Sequence, residues 1–300
     1  VLNKNVKKGV GKMKRTLRLF FAVIAATIFF SGMGQAQKFS LLVSDGYGTV
    51  KVGDYNSLLT GAERILSLLA QEYSLTKAGS FKKINMRYEF DGEFLVQVKK
   101  HFSIGFGAGY TQRDTNQGVD LTGAGQYITY TLNSRFVFFP IKVSGHFFYS
   151  IFPTLNVYIN GGVGYYFGRA TYTHTYEQGL MSPAIGSSHD GEIKSGDIGF
   201  HSGVGLKFKV IPRVSLFIEG RALLCRLRPW KGNELYTELS GFSENRSGKA
   251  WYYELPVNGV GYLPEIATGE FPVPVSAKNV REFSFDLTGS SIRLGIIVHL

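Results

Sequence analysis

The chain has little of what several protein classes require. Its 300 residues hold a single cysteine, Cys225, which excludes a disulfide-stapled scaffold and a zinc site built from several thiolates. Charged residues make up only 18%, against 44% hydrophobic and 14% aromatic residues, and this balance excludes an intrinsically disordered chain. After residue 30, no apolar run reaches the length of about 20 residues that a membrane-spanning helix takes.

The N-terminus has the pattern of a signal peptide. Seven Lys and Arg residues and no acid lie in the first 36 residues, and an apolar run of 12 residues covers 19–30. Gly34 and Ala36 fit the small-residue rule for cleavage after Ala36. We therefore predict a signal peptide over 1–36.

The remaining chain, 37–300, is predicted to be an exported protein. Met13, followed by Lys14 and Arg15, would make an ordinary start, so residues 1–12 are a candidate upstream extension. Loss of seven leader charges lowers the formal net charge from +11 to +4. Such a small excess predicts no nucleic-acid partner.

Alternation with a period of two dominates the exported chain. In residues 102–110, Phe, Ile, Phe, Ala and Tyr occupy one face, while Ser and three glycines occupy the other. Such alternation is typical of β-strands, and here the glycines belong to strands and not to a phosphate-binding turn. The same pattern predicts eight strands, at about 39–50, 82–98, 101–112, 126–149, 154–176, 194–210, 214–229 and 281–300.

The predicted connections alternate between short and long. The short ones centre on Lys100, Pro153 and Pro212. This alternation is typical of an outer-membrane barrel, which has tight periplasmic turns and long outer loops. The predicted fold is therefore all-β, an eight-stranded antiparallel up-and-down transmembrane β-barrel. Its long loops are predicted at about 51–80, 112–123, 177–192 and 231–280.

The loop at 51–80 has a pattern of its own. Thr60 and Glu63 have the spacing of a helix capping box, and apolar residues follow at helical intervals. We expect a short amphipathic helix outside the barrel, and a plug inside the barrel is the alternative.

The two faces of the strands predict where the barrel meets lipid. The apolar face suits a lipid contact, and the opposite face of glycines and charges suits a narrow lumen. Unpaired charges there would be costly, so we expect an ion-pair network and a direct pair between Glu219 and Arg293. The predicted lumen residues are Arg87, Glu89, Asp91, Glu93, Arg135, Lys207, Lys209, Glu219, Arg221 and Arg293.

Three segments carry a resemblance to a known family. They are FSIGFGAGY at 102–110, RFVFFPIK at 135–142 and NGGVGYYFG at 160–168. Over about 81–300 the chain resembles the small outer-membrane β-barrel proteins of the OmpX, OmpW and opacity-porin type. The resemblance implies the barrel architecture and carries no information about a ligand.

The function predicted from these features is that of a non-enzymatic structural or surface-recognition protein of a Gram-negative outer membrane. Partners would be outer-membrane lipid, lipopolysaccharide and the barrel-assembly machinery, with the protein itself a monomer. A narrow channel is one alternative and a lipid A-modifying enzyme another; a soluble exported barrel is the architectural rival. His101 and Ser103 have a His-x-Ser spacing, but they lie at the predicted periplasmic end, away from lipid A.

No catalytic residue, cofactor or metal ligand set is predicted. Cys225 is expected to be a packed small residue. Trp251, Tyr252 and Tyr253 lie in the largest predicted loop, where they would form either a surface contact patch or part of the packing of the loop.

Overall fold

The computed structural model describes residues 38–179, 184–257, 260–270, 274 and 276–300. The signal peptide predicted over 1–36 lies outside the described residues. Within them the chain forms one helix and fifteen strands. The bounds are β1 Phe39–Thr49, α1 Asp54–Glu72, β2 Thr76–Gly79, β3 Met86–Lys99, β4 Phe102–Gly123, β5 Gln126–Phe152, β6 Leu155–Gln178, β7 Ile185–Ile211, β8 Val214–Leu224, β9 Arg226–Leu227, β10 Lys231–Glu238, β11 Ser243–Val257, β12 Gly261–Gly269, β13 Lys278–Glu282, β14 Phe285–Asp286 and β15 Gly289–His299.

Eight of these strands pair in a closed cycle. β1 pairs with β3, and antiparallel pairing continues through β4, β5, β6, β7 and β8 to β15. β15 then pairs with β1, from Ser40 opposite His299 to Gly48 opposite Ser291. Closure leaves this ring without a free strand edge.

The all-β class is confirmed, but the structure has fifteen strands where the sequence predicted eight. Four of the seven additional strands, β2, β10, β11 and β12, lie in segments predicted as loops. β13 spans the boundary between the predicted loop 231–280 and the predicted strand 281–300. β9 and β14 lie within the predicted strands 214–229 and 281–300, which are shorter in the structure because β8 ends at Leu224 and β15 begins at Gly289. β10 pairs with β7 and continues the sheet through β11 to β12, so most of the connection expected over 231–280 is strand. The sequence of this connection resembles a loop because β10 and the first half of β11 are polar, whereas β12 is largely buried on both faces and so does not alternate.

Two other predicted long connections are also corrected. β4 continues to Gly123, where Ala124 and Gly125 turn the chain with φ of 48° and 76°. β6 continues to Gln178 and β7 begins at Ile185, so most of 177–192 is strand as well. These extensions are hard to predict from the sequence because Thr, Asn and Gln stand where the strands of the ring have apolar residues.

The short turns lie together at one end of the ring. They join β3 to β4, β5 to β6 and β7 to β8. β1 begins at this end of the ring, and β15 ends there. At the opposite end, β4 to β7 continue beyond the ring. We call the described residues of 50–85, 113–137, 169–197 and 225–288 the lobe.

The lobe has its own hydrophobic core. The helix predicted within 51–80 is present as α1, and its buried face carries Leu58, Ala62, Ile65 and Leu66. These residues belong to one buried cluster that also contains residues of β4, β5, β12 and β14. α1 packs mainly against β12 and also contacts β2, β4 and β14, and its Tyr55 hydroxyl donates to Ser134 on β5. The helix is thus built into the lobe core.

Candidate functional sites: the charged interior and the lobe

The inside of the ring is lined by charged side chains. Glu89, Asp91 and Glu93 alternate along β3, so the period of two turns all three to the same face. Four acids and four cations occupy this interior, and each is at most 8% exposed. Their formal charges cancel. They are Glu89, Asp91, Glu93, Glu219, Arg87, Lys142, Arg221 and Arg293.

Arg293 is the centre of this network. Its Nη1 donates to Glu219 Oε1 at 2.8 Å, so the predicted pair of these two residues is confirmed. Its Nη2 lies 2.9 Å from Asp91 Oδ2 and also donates to the Ser44 hydroxyl. One guanidinium on β15 therefore ties together β1, β3 and β8, the strands on either side of the ring closure.

Asp91 receives two further cations. Arg221 Nη1 donates to Asp91 Oδ2 at 2.6 Å, and Lys142 Nζ donates to Asp91 Oδ1. Glu93 accepts from the Ser144 hydroxyl and lies 3.0 Å from His146 Nε2. Each of these contacts crosses the ring interior between separate strands, so the network braces the ring.

Arg135 is on the other face, which corrects its predicted place in the lumen. Its side chain is 58% exposed and forms an ion pair with Asp114 at 3.2 Å on the outer surface. Arg135 and Lys142 lie on the same regular strand at an odd separation, so they must face opposite ways. Lys142 and His146 are two of the inward residues of β5 and were not among the predicted lumen residues. The same rule of alternation could have found them.

Lys207 and Lys209 lie near the turn end. Lys207 is half-buried with its Nζ 4.6 Å from the centre of the Phe148 ring, and Lys209 is exposed. Neither takes part in an ion pair within the described residues. The ion-pair network therefore does not extend past Glu219 toward the end of the ring that carries the short turns.

A small cavity lies at the upper end of the charged network. It measures about 20 Å³, and Arg87, Tyr166 and Arg221 are among its lining residues. Buried donor atoms of these three residues have no hydrogen-bond partner in the described part of the chain. A cavity of this size fits one water molecule, not a solute.

The three aromatic residues singled out in the sequence do not form one surface patch. Tyr252 and Tyr253 are only 2% and 3% exposed, which corrects the predicted contact patch. Arg281 stacks on the Tyr252 ring at 3.9 Å, and Tyr253 donates to Glu265 at 3.3 Å. Trp251 is half-buried, and its Nε1 donates to the Gly269 carbonyl. These residues contribute to the packing of the lobe, the alternative left open by the sequence.

A buried cluster of acids and histidines joins four strands of the lobe. Glu234 accepts from the Tyr172 hydroxyl at 2.6 Å and the Thr268 N–H at 3.0 Å, and its Oε1 lies 2.9 Å from His189 Nδ1. Burial lowers the pKa of His189, but the hydrogen bond to Glu234 and the negative charges of Glu265 and Glu234 together outweigh it, so the pKa is raised. Burial also raises the pKa of Glu265. These contacts join β6, β7, β10 and β12 inside the lobe.

His101 and Ser103, the pair with His-x-Ser spacing, point to different surroundings. His101 Nδ1 lies 3.0 Å from the Phe148 carbonyl oxygen at the turn end. Ser103 is 7% exposed and faces the interior. Cys225 is buried and free. Among the described residues, no group of three or more His, Cys, Asp or Glu side chains has the arrangement of a metal site.

No helix in the described part of the chain is both long and apolar enough to cross a membrane. No family model matches the chain, and no curated protein matches it. The resemblance to the OmpX, OmpW and opacity-porin type therefore has no family-level match.

Solved structures do match. A major outer membrane protein from Thermus thermophilus has a TM-score of 0.41 at 15% identity, over 89% of this chain and 100% of that chain. The outer membrane protease OmpT from Escherichia coli has a TM-score of 0.31 at 10% identity, over 89% and 99%. The transport unit of the autotransporter AIDA-I from Escherichia coli has a TM-score of 0.23 at 10% identity, over 88% and 91%. Similarities at this level carry no argument about activity.

Proposed function

We propose that the protein is an integral outer-membrane β-barrel protein. Its eight-stranded ring spans the bilayer, its short turns face the periplasm, and its lobe is a recognition surface outside the cell. The observation that carries the proposal is the closed ring with a charged interior and an apolar exterior. In a bilayer every backbone polar group needs an internal partner, so strands can span only as a closed barrel.

The outward side chains support this assignment. On β5, Phe139, Ile141, Val143 and Phe147 are between 42% and 48% exposed, whereas the inward Lys142 is 4% exposed. This is the reverse of the arrangement in a water-soluble barrel, in which the apolar face would be buried. A broad, exposed apolar surface marks a contact with another apolar phase, here lipid.

The height of the apolar band fits an outer membrane. On β6 the outward residues are apolar or glycine from Leu155 to Phe167, and Arg169 begins the polar part. At about 3.3 Å per residue and a tilt of about 45°, this stretch rises roughly 28 Å. Tyr165 and Phe167 near its upper end fit an aromatic girdle at the lipid–water boundary.

The charged network argues against the alternative of a narrow channel. Arg293, Asp91 and Arg221 bridge the interior, and moving them apart would leave buried charges without partners. We therefore expect no steady conductance when the purified protein is reconstituted in a planar bilayer. Stable single-channel currents would overturn this part of the proposal.

A recognition role outside the cell fits the size of the lobe, which contains most of the hydrophobic core. We propose that the role is non-enzymatic and that the barrel, having no free edge, is a monomer. The partners of the barrel would be outer-membrane lipid, lipopolysaccharide and, during biogenesis, the barrel-assembly machinery. An unchanged mass of lipid A on expression is the expected result, and a shifted mass would favour the enzyme alternative.

Fractionation tests the membrane assignment directly. The full chain, expressed in a Gram-negative host, should appear in the outer-membrane fraction. Its unheated form should migrate differently from its heated form in a detergent gel, because a closed barrel resists detergent until it is boiled. Recovery in the periplasm without detergent would support the soluble barrel and overturn the proposal.

A further inference from the structure

A wide cleft opens on the lobe between α1 and the strands β11 to β13. Its volume is about 710 Å³. Two segments that are distant in sequence form its walls. One wall comes from the connection between β1 and β3, and the other comes from the connection between β8 and β15. Lys51, Arg64 and Lys83 line the first wall, and Glu254, Tyr262 and Arg281 line the second.

The charges around this cleft are not balanced. Lys51, Arg64 and Lys83 are exposed, and within the described residues none has a carboxylate within 4.0 Å. A fourth cation, Arg281, is held by Asp54, with 2.9 Å between Nη2 and Oδ1. Lys51, Arg64 and Lys83 therefore give the cleft a local positive charge.

The one acid that lines the cleft, Glu254, forms no ion pair with these cations. Glu254 Oε1 accepts from the Tyr252 hydroxyl at 3.1 Å, and Glu254 Oε2 accepts from Asn279 Nδ2 at 2.8 Å. Both oxygens are therefore engaged by neutral donors of the cleft wall. Three free cations remain for a ligand.

The walls of the cleft are fixed by packing. Arg281 stacks on Tyr252 at 3.9 Å, and Lys278 Nζ lies 4.5 Å from the centre of the Tyr262 ring. Gly61 lets α1 approach β12 closely, because a Cβ atom at this position would overlap the Pro264 ring. A fixed wall lowers the entropy lost when a ligand is bound.

We propose that this cleft binds an anionic saccharide that carries phosphate, sulfate or carboxylate groups on more than one sugar unit. The cleft is far larger than a single phosphate, and its cations come from three separate segments, so a ligand with several spaced charges fits best. The hydroxyls of Ser57, Thr60 and Tyr262 add partners for the hydroxyls of a sugar. The inference rests on the proposed function, in which the lobe faces the outside.

Binding by the purified full-length protein in nanodiscs tests the inference. The probes are a sulfated heparin hexasaccharide, maltohexaose as the neutral sugar and inorganic phosphate as the single anion. Titration calorimetry should show binding of the hexasaccharide, much weaker binding of phosphate and no binding of maltohexaose. The affinity for the hexasaccharide should fall as salt rises, because the cations are exposed.

The variant Lys51→Gln/Arg64→Gln/Lys83→Gln removes the three free cations. The matched control, Arg113→Gln/Arg226→Gln/Lys231→Gln, removes three exposed charges of the lobe that do not line the cleft. The cleft variant should bind the hexasaccharide about tenfold more weakly, as expected for three exposed ion pairs, while the control binds like the wild type.

Three results would each overturn the inference: no binding by the wild-type protein, an equal loss in both triple variants, or equal binding of maltohexaose. Membrane fractionation is scored separately. A protein that binds the hexasaccharide through the cleft but fractionates with the periplasm would refute the barrel function and not the cleft. A protein in the outer membrane that fails to bind would refute only the cleft.

Discussion

Arg293 and Glu219 lie directly opposite each other on β15 and β8, and their side chains meet inside the ring with 2.8 Å between Nη1 and Oε1. Both are almost completely buried, at 4% and 1% exposed. A pair of this kind is costly to break on one side, because the remaining charge is left in a place from which water is excluded.

The first prediction concerns this pair. Arg293→Met should lower the free energy of unfolding by about 3 kcal/mol, because Glu219 and Asp91 both lose a buried cation. Urea unfolding of the lipid-reconstituted protein, followed by tryptophan fluorescence, measures the change. Glu219→Gln combined with Arg293→Met should recover part of the loss. A double variant less stable than Arg293→Met alone would contradict this reasoning.

The second prediction uses Arg135 as the exposed counterpart. Its ion pair with Asp114 has both side chains more than half exposed. Arg135→Met should therefore change the free energy of unfolding by less than about 1 kcal/mol in the same assay. A loss as large as that of Arg293→Met would mean that Arg135 has a role that its exposed contact does not explain.

The third prediction compares two glycines of the ring. Gly105 faces the interior, where a Cβ atom would overlap the Glu93 carboxylate, whereas a Cβ at Gly92 on the outer face meets nothing within 4 Å. Gly105→Ala should cost about 1–3 kcal/mol through overpacking, while Gly92→Ala should be neutral or slightly stabilising. The folded fraction seen as gel mobility without heating measures both. Equal behaviour of the two variants would disprove the inward placement of Gly105.

The fourth prediction is a pH dependence of the lobe. Glu234, Glu265, Arg246 and His174 face His189 from β10, β12, β11 and β6. Burial lowers the pKa of His174 from 6.5 to about 3 in the folded protein. Well above pH 6.5, His174 is therefore neutral in both the folded and the unfolded protein. Because the pKa of His189 is raised, its stabilising contribution is complete below pH 6.5 and is lost as pH rises through the raised value.

Hydrogen exchange at β10 provides the readout. Protection in the wild-type protein should decrease as pH rises above 6.5, after correction for the intrinsic exchange rate. His189→Gln should flatten this dependence, and the control His101→Gln, which removes a histidine from the turn end, should leave it unchanged. The same slope in wild type and His189→Gln would contradict the prediction.

The ring was predictable because its sequence pattern has one physical cause. Phe139, Ile141 and Val143 alternate with Pro140 and Lys142, and a strand with two different surroundings requires that alternation. The same rule predicted the pairing of Glu219 with Arg293 from their similar distances to the turn end. Arg135 lies on the outer face because its position in the strand, and not its charge, decides which way its side chain points.

The lobe could not be predicted in the same way. β10, β11 and β12 pair in sequence order, but β10 and the first half of β11 are polar and β12 is largely buried on both faces. None of the three therefore shows the alternation that marks the strands of the ring. Tyr252 and Tyr253 have the sequence surroundings of a loop patch, but they are buried by contacts with β12 and β13, which follow later in the chain. Only the helix α1, with a regular local pattern, could be predicted from the sequence.

The lobe is assembled from opposite ends of the chain. Asp54, just after β1, holds Arg281 and accepts from the Ser284 N–H, just before β15. These contacts span more than two hundred residues, so they can form only after the last segment of the chain has arrived. The cleft of the lobe is therefore completed only when the segment that precedes β15 has packed against α1.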